Sequence, residues 1–137
     1  MDSHIIGIHH LGIAVRNIKD ESSVYIDLMG FTKETEILHE PPQKVDVQFF
    51  KLNDFRIELI QPVSADSPII SFLDKGGVLN HICYESSDIE SSVKQLKKDR
   101  GFFQTVNITK ASTLDDCYYS FFAKPTGEVV EIIYFEK

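Results

Sequence analysis

The stretch NHICYESSDIESSV, residues 80–93, restates much of HHLGIAVRNIKDESSV, residues 9–24. Setting His10 against His81 also matches Ile18 with Ile89, Gly30 with Gly101 and Phe31 with Phe102. A small gap then brings ESSV at 21–24 onto ESSV at 90–93. Self-similarity on this scale marks a duplicated structural unit, and the duplication decides how everything else in the chain is read.

Each half carries the same order of signals. IHHLGIAV is a β-rich apolar run, Asn17 offers a helix cap, Val24, Tyr25, Leu28 and Met29 recur at helical spacing, and Gly30 supplies a left-handed stop. FTKETEIL reads as a strand, Pro41 and Pro42 break the chain, and VDVQFFKL and FRIELIQP flank the turn residues Asn53 and Asp54 as a hairpin. The connector PIISFLDKGG opens with Pro68 at a first helical position and closes on paired glycines. LNHICYES is again a strand, Asp88 caps the helix IESSVKQLKK, Gly101 ends it, and FFQTVNI, CYYSFFA and EVVEIIYF supply three more strands. The expectation is one domain over residues 1–137, with a βαβββ module at 5–63, a connector at 64–77 and a second βαβββ module at 78–137.

At 137 residues, with 42% hydrophobic and 11% aromatic residues, the chain has ample material for a packed core. Twenty-one acidic against 14 basic residues give a formal charge of −7 and no basic run, which argues against nucleic acid as a partner. No apolar run is long enough to span a bilayer, so a soluble, cytoplasmic protein is expected. Cys83 and Cys117 are isolated and read as two buried thiols in a reducing compartment.

Strand alternation then singles out a site. In the first strand Leu11, Ile13 and Val15 share one side, suited to packing under the helix, whereas His10 shares the other with the small residues Gly12 and Ala14. Glu58 faces away from Ile57 and Leu59 in the apolar IELI, and Glu131 occupies the equivalent place in VVEII. A buried carboxylate costs several kcal/mol unless it is paired, neutralised or bound to a metal. Each half thus contributes a histidine from its first strand and a glutamate from its last, and His10, Glu58, His81 and Glu131 together suit a divalent first-row metal: Co, Ni, Mn or Zn. His9 points to the opposite face and reads as structural, and His4 and His39 as solvated.

At these residues the chain resembles the vicinal oxygen chelate superfamily, the glyoxalase-like metalloenzymes built from paired βαβββ modules. HLGIAV, IELIQP, the interval SPIISFLDKGG before NHICYE, and the closing PTGEVVEII look most like its methylmalonyl-CoA epimerase branch. The resemblance implies an α+β fold in which two tandem modules form a curved sheet around a metal-binding cleft. It implies ligation by His10, Glu58, His81 and Glu131, and removal of a proton next to a carbonyl through an enolate-like intermediate. It also implies a small-molecule substrate, an acyl-CoA thioester in that branch, and a homodimer. Some relatives place a glutamate base on the strand where this chain has VDVQFF. With Val47 and Phe49 taken as helix-facing, Asp46 and Gln48 line the substrate cleft, and the base falls to Glu131 or Glu58. The segment ITKASTLDDCYYSFF departs from the glycine-rich loop of the epimerases. A glyoxalase I-type lyase acting on a thiol adduct, or a binding and resistance protein of the same fold, are the alternatives.

Overall fold

The computed structural model describes residues 3–99 and 101–136, the side chain of Leu114 excepted. The chain divides into two compact units. One is residues 10–80; the other joins the residues up to 9 to those from 81 onward.

In the first unit, β1 (Ile5–Ala14) runs parallel to β5 (Phe55–Pro62) from Leu11 onward, β5 pairs antiparallel with β4 (Val45–Leu52), and β4 carries the short strands β2 (Thr32–Lys33) and β3 (Leu38–Glu40). Helix α1 (Ile18–Ser23) starts where the Asn17 side chain accepts the Asp20 amide at 3.0 Å, and Asp20 and Glu21 place negative charge in its first turn. The α-helix is shorter than the periodicity suggests. Val24–Leu28 form a wider π turn, closed by the Met29 amide on the Val24 carbonyl at 3.2 Å, before Gly30 takes φ 82°. The strand expected over residues 31–38 is interrupted at Glu34 and Thr35, whose amides both donate to the Phe49 carbonyl. A 3-10 turn over Pro41–Gln43 then leads into β4. Under α1, Val15, Ile18, Phe50, Ile57 and Leu59 form the buried core, with Tyr25, Phe31 and Ile37 packed against it. Each such side chain contributes about 1.5–3 kcal/mol relative to exposure.

This core corrects one expectation. Residues directly opposite on an antiparallel pair share a face, and Gln48 stands opposite Leu59, Phe50 opposite Ile57, and Asp46 opposite Gln61. Leu59, Ile57 and Phe50 lie in the cluster beneath α1, and Gln61 accepts the Ile18 amide at 2.8 Å. Asp46 and Gln48 therefore lie on the helix side and do not line the cleft. Val47 and Phe49 take the other face.

The helix α2 (Pro68–Asp74) is opened by the Ser67 hydroxyl accepting the Ile69 amide and followed by Gly76 at φ 85°.

In the second unit the strand order is β6 (Leu79–Ser86), β9 (Val129–Tyr134), β8 (Tyr118–Ala123), β7 (Phe103–Lys110), with β6 and β9 parallel and the rest antiparallel. Asp88 caps α3 (Ile89–Lys97) by accepting the Ser91 amide at 3.2 Å and its hydroxyl at 2.7 Å. Ile89, Val93, Phe122, Val130 and Ile132 are buried beneath α3, and Ile5 from the start of β1 packs with them. On the other face Cys83, Ala111, Cys117, Tyr119 and Ile133 form a second cluster, and both cysteines are buried and outside any disulfide. The α3 helix stops at Lys97, ahead of Gly101, whose amide donates to the Asp99 carboxylate at 2.7 Å. Among the described residues no helix is long and apolar enough to cross a membrane.

Candidate metal centre

Each unit builds the same small arrangement. In residues 10–80, the parallel register of β1 and β5 sets Gly12 against Glu58, two residues beyond His10. Gly12 and Ala14 add almost no bulk to that face, so the imidazole and the carboxylate close on each other, His10 Nε2 to Glu58 Oε1 at 3.3 Å. The Phe49 ring presents its edge to His10, centroids 5.3 Å apart and planes at 77°. Phe49 stands directly opposite Glu58 in the β4–β5 pair.

The other unit repeats this. The parallel β6–β9 register sets Cys83 against Glu131, again two residues beyond the histidine, and His81 Nε2 lies 3.0 Å from Glu131 Oε1. Phe121, directly opposite Glu131, meets the His81 ring at 5.2 Å and 85°. All four polar side chains are buried. An edge-on aromatic contact fixes the imidazole plane through the ring quadrupole while leaving Nε2 aimed at the carboxylate.

The separations suit a shared cation. Two donors each ~2.1 Å from one ion, at a right angle, lie ~3.0 Å apart. Neutral imidazole nitrogen and carboxylate oxygen are also the donor types that divalent first-row metals take.

Sequence reasoning missed Phe49 and Phe121. The signal was present: QFF at 48–50 and SFF at 120–122 repeat with the period that links the two histidines and the two glutamates, give or take a residue. The remaining histidines make other contacts. His9 is buried with its ring 5.2 Å from Phe135; His39 is exposed, with Nδ1 2.5 Å from the Asp46 carboxylate; the His4 carbonyl accepts the Ser87 amide. Gln48 Nε2 donates to the Thr35 carbonyl at 2.9 Å.

The profile of the Glyoxalase/Bleomycin resistance protein/Dioxygenase superfamily matches residues 9–121. The chain belongs to that superfamily. Among similar members, the mitochondrial methylmalonyl-CoA epimerase of Mus musculus is 35% identical over 95 residues, which cover 68% of this chain and 53% of the relative. The chain thus spans about half the length of that curated relative. The solved methylmalonyl-CoA epimerase of Mycobacterium tuberculosis aligns with a TM-score of 0.88 at 20% identity, covering 100% of this chain and 93% of the other. A Streptomyces coelicolor methylmalonyl-CoA epimerase variant, solved in complex with 2-nitronate-propionyl-CoA, aligns with a TM-score of 0.84 at 18% identity over 97% and 99% of the two chains. The glyoxalase-like α+β fold of this superfamily is therefore the fold of the chain.

Proposed function

We propose that the protein is a metal-dependent epimerase that removes and returns a proton next to a carbonyl, with a methylmalonyl-type acyl-CoA thioester as substrate. The observation that carries the reading is the duplicated arrangement, a buried His–Glu pair braced by a phenylalanine edge, present once in each unit. His10, Glu58, His81 and Glu131 would hold one divalent ion, drawn from Co, Ni, Mn and Zn. Such an ion supplies Lewis-acid stabilisation of the negative charge that develops on a substrate carbonyl oxygen.

The residues themselves handle the proton. Epimerisation needs one group to take it from one face of the carbon and another to deliver it to the opposite face. The two glutamates, one from each module, are the pair assigned to this exchange: Glu131 accepts and Glu58 returns. On β4 the face shared with Glu58 carries Val45, Val47, Phe49 and Lys51 and offers no other carboxylate. The burial of both carboxylates keeps bulk water from competing for the proton.

Metal content and solvent-deuterium entry into methylmalonyl-CoA, measured on the wild type, Glu58→Gln and Glu131→Gln, test the reading. Expected are about one ion per chain in the wild type and loss of exchange in each variant. A metal-free wild type of full activity, or unchanged exchange in both variants, overturns it.

The proposal includes a homodimer, supported by Ile6 and Ile8, alternate residues of β1 that are each 62% exposed. Light scattering that finds only monomer at working concentration refutes that part. A cytoplasmic setting is supported by two buried cysteines that form no disulfide.

A further inference from the structure

One charged row beside the His10–Glu58 pair takes no part in the proton transfer. Arg56 precedes Glu58 by two residues and therefore shares its face of β5. Lys51 stands directly opposite Arg56 and lies two residues from Phe49, the ring set edge-on to His10. The β1–β5 register places Leu11 against Ile57, so the next position along the pair brings Arg56 beside His10. Two registers and the alternation along β5 thus agree on one face.

The row is unusual on energetic grounds. Like charges directly opposed across an antiparallel pair are destabilising. Glu34 answers one of the two: Arg56 Nε donates to Glu34 Oε1 at 2.6 Å and a terminal Arg56 nitrogen to Glu34 Oε2 at 2.9 Å, a two-pronged bond that fixes the guanidinium plane. The second cation, Lys51, leaves the row with a net positive charge, in a chain whose formal charge is −7. Arg56 and Glu34 keep about a fifth of their side-chain surface open, 20% and 23%, so the row is accessible to a ligand.

We propose that Lys51 and Arg56 form the oxyanion-recognition end of the site and bind the free carboxylate of a dicarboxylic acyl thioester. This assignment rests on the epimerase reading and names the part of the substrate that selects it. Lys51 supplies the attracting charge. Arg56, oriented by Glu34, supplies direction. The two residues discriminate malonyl-type acyl groups from simple acyl groups of the same length.

A thioester of coenzyme A has two anionic ends, the acyl carboxylate and the phosphates, and calorimetry separates them. Metal-loaded full-length wild type, Lys51→Met and Arg56→Lys are titrated with methylmalonyl-CoA, methylmalonyl-pantetheine and propionyl-CoA, and thermal melts confirm that the variants fold. Lys51→Met is expected to weaken both methylmalonyl ligands about ten-fold, the size of one charge-assisted hydrogen bond, and to leave propionyl-CoA unchanged. Arg56→Lys keeps the charge, loses the fork and shows the same pattern. Equal weakening of propionyl-CoA with no effect on the pantetheine ligand would assign the row to the phosphates and overturn the proposal. Unchanged affinity for all three ligands overturns it as well. A wild type that binds methylmalonyl ligands in this pattern but admits no solvent deuterium would sink the epimerase reading alone and leave the subsite standing.

Discussion

Phe49 and Glu58 face each other across the β4–β5 pair, and the Phe49 ring meets the His10 ring in a T-shaped contact at 5.3 Å. Phe121 and Glu131 repeat the relationship beside His81. A phenylalanine opposite the glutamate is therefore as much part of the duplicated unit as the glutamate itself. It limits where the imidazole can turn, and its cost of removal falls on the site as well as on the core.

Phe49→Leu is expected to keep the fold but loosen the His10 plane. Loss of the edge contact costs about 0.5–1.5 kcal/mol beyond the lost area. Zinc titration should show weaker metal binding at a melting temperature within a few degrees of wild type. Phe50→Leu, one residue on and beneath α1, should lower stability and spare metal affinity. If the two variants behave alike, the assignment of opposite faces is wrong.

Asp46→Asn should leave proton exchange at the wild-type rate, because Asp46 lies on the α1 side with Gln61 and pairs with the exposed His39. An exposed pair of this kind contributes about 0–1 kcal/mol, so stability should scarcely change. Deuterium wash-in by mass spectrometry checks the point. Loss of exchange in this variant alone would move the base to Asp46.

His81→Ala separates ligation from packing. A cation that binds only the native state at 100 times its dissociation constant stabilises by about 2.7 kcal/mol. The variant should therefore melt well below wild type with metal present and much closer to it in chelator. An equal gap under both conditions would mean that His81 is only a core residue.

The Asp88 carboxyl is held below the usual carboxylate range, first by the Ser91 hydroxyl and then by its amide. A group more acidic in the folded state contributes stability above its unfolded pKa, about 3.9, and that contribution is lost as pH falls through the folded value. Asp88→Asn retains an amide cap and cannot titrate, so its urea midpoint should fall less than that of wild type between pH 6 and pH 3. Parallel acid profiles for the two proteins would contradict the assigned cause. Asn17→Ala, at the matching cap of α1, should cost about 1 kcal/mol at any pH.

The strands β4, β5 and β6, the caps at Asn17 and Asp88 and the helix opening at Pro68 were legible because turn residues and side-chain acceptors punctuate them. The two histidines and two glutamates were legible as strand residues at repeated positions, since polar groups stand out in apolar strands. The facing of β4 was not, because Phe49 and Phe50 are both buried and an apolar pair erases the alternation. The break after Lys33 was hidden for a different reason. Glu34 and Thr35 leave the strand to meet one carbonyl, that of Phe49, and Glu34 also reaches Arg56, 22 residues away; such tertiary partners leave no local trace.

The boundary between the two units falls between His9 and His10, inside β1. Residues ahead of it belong to the unit built from the far half of the chain: the Ser87 amide donates to the His4 carbonyl, the Ser92 hydroxyl donates to the Ser3 carbonyl, and Ile5 joins the core beneath α3. During synthesis at about 5–20 residues per second, this leading segment leaves the ribosome seconds before its partners exist. Residues 10–80 can acquire their own hydrogen bonds on the way, whereas the core that Ile5 joins is complete only with β9, the last strand to be made. A nascent chain stalled before residue 129 would hold one finished unit and one whose core still lacks Val130 and Ile132, and protease protection on the ribosome should appear in that order.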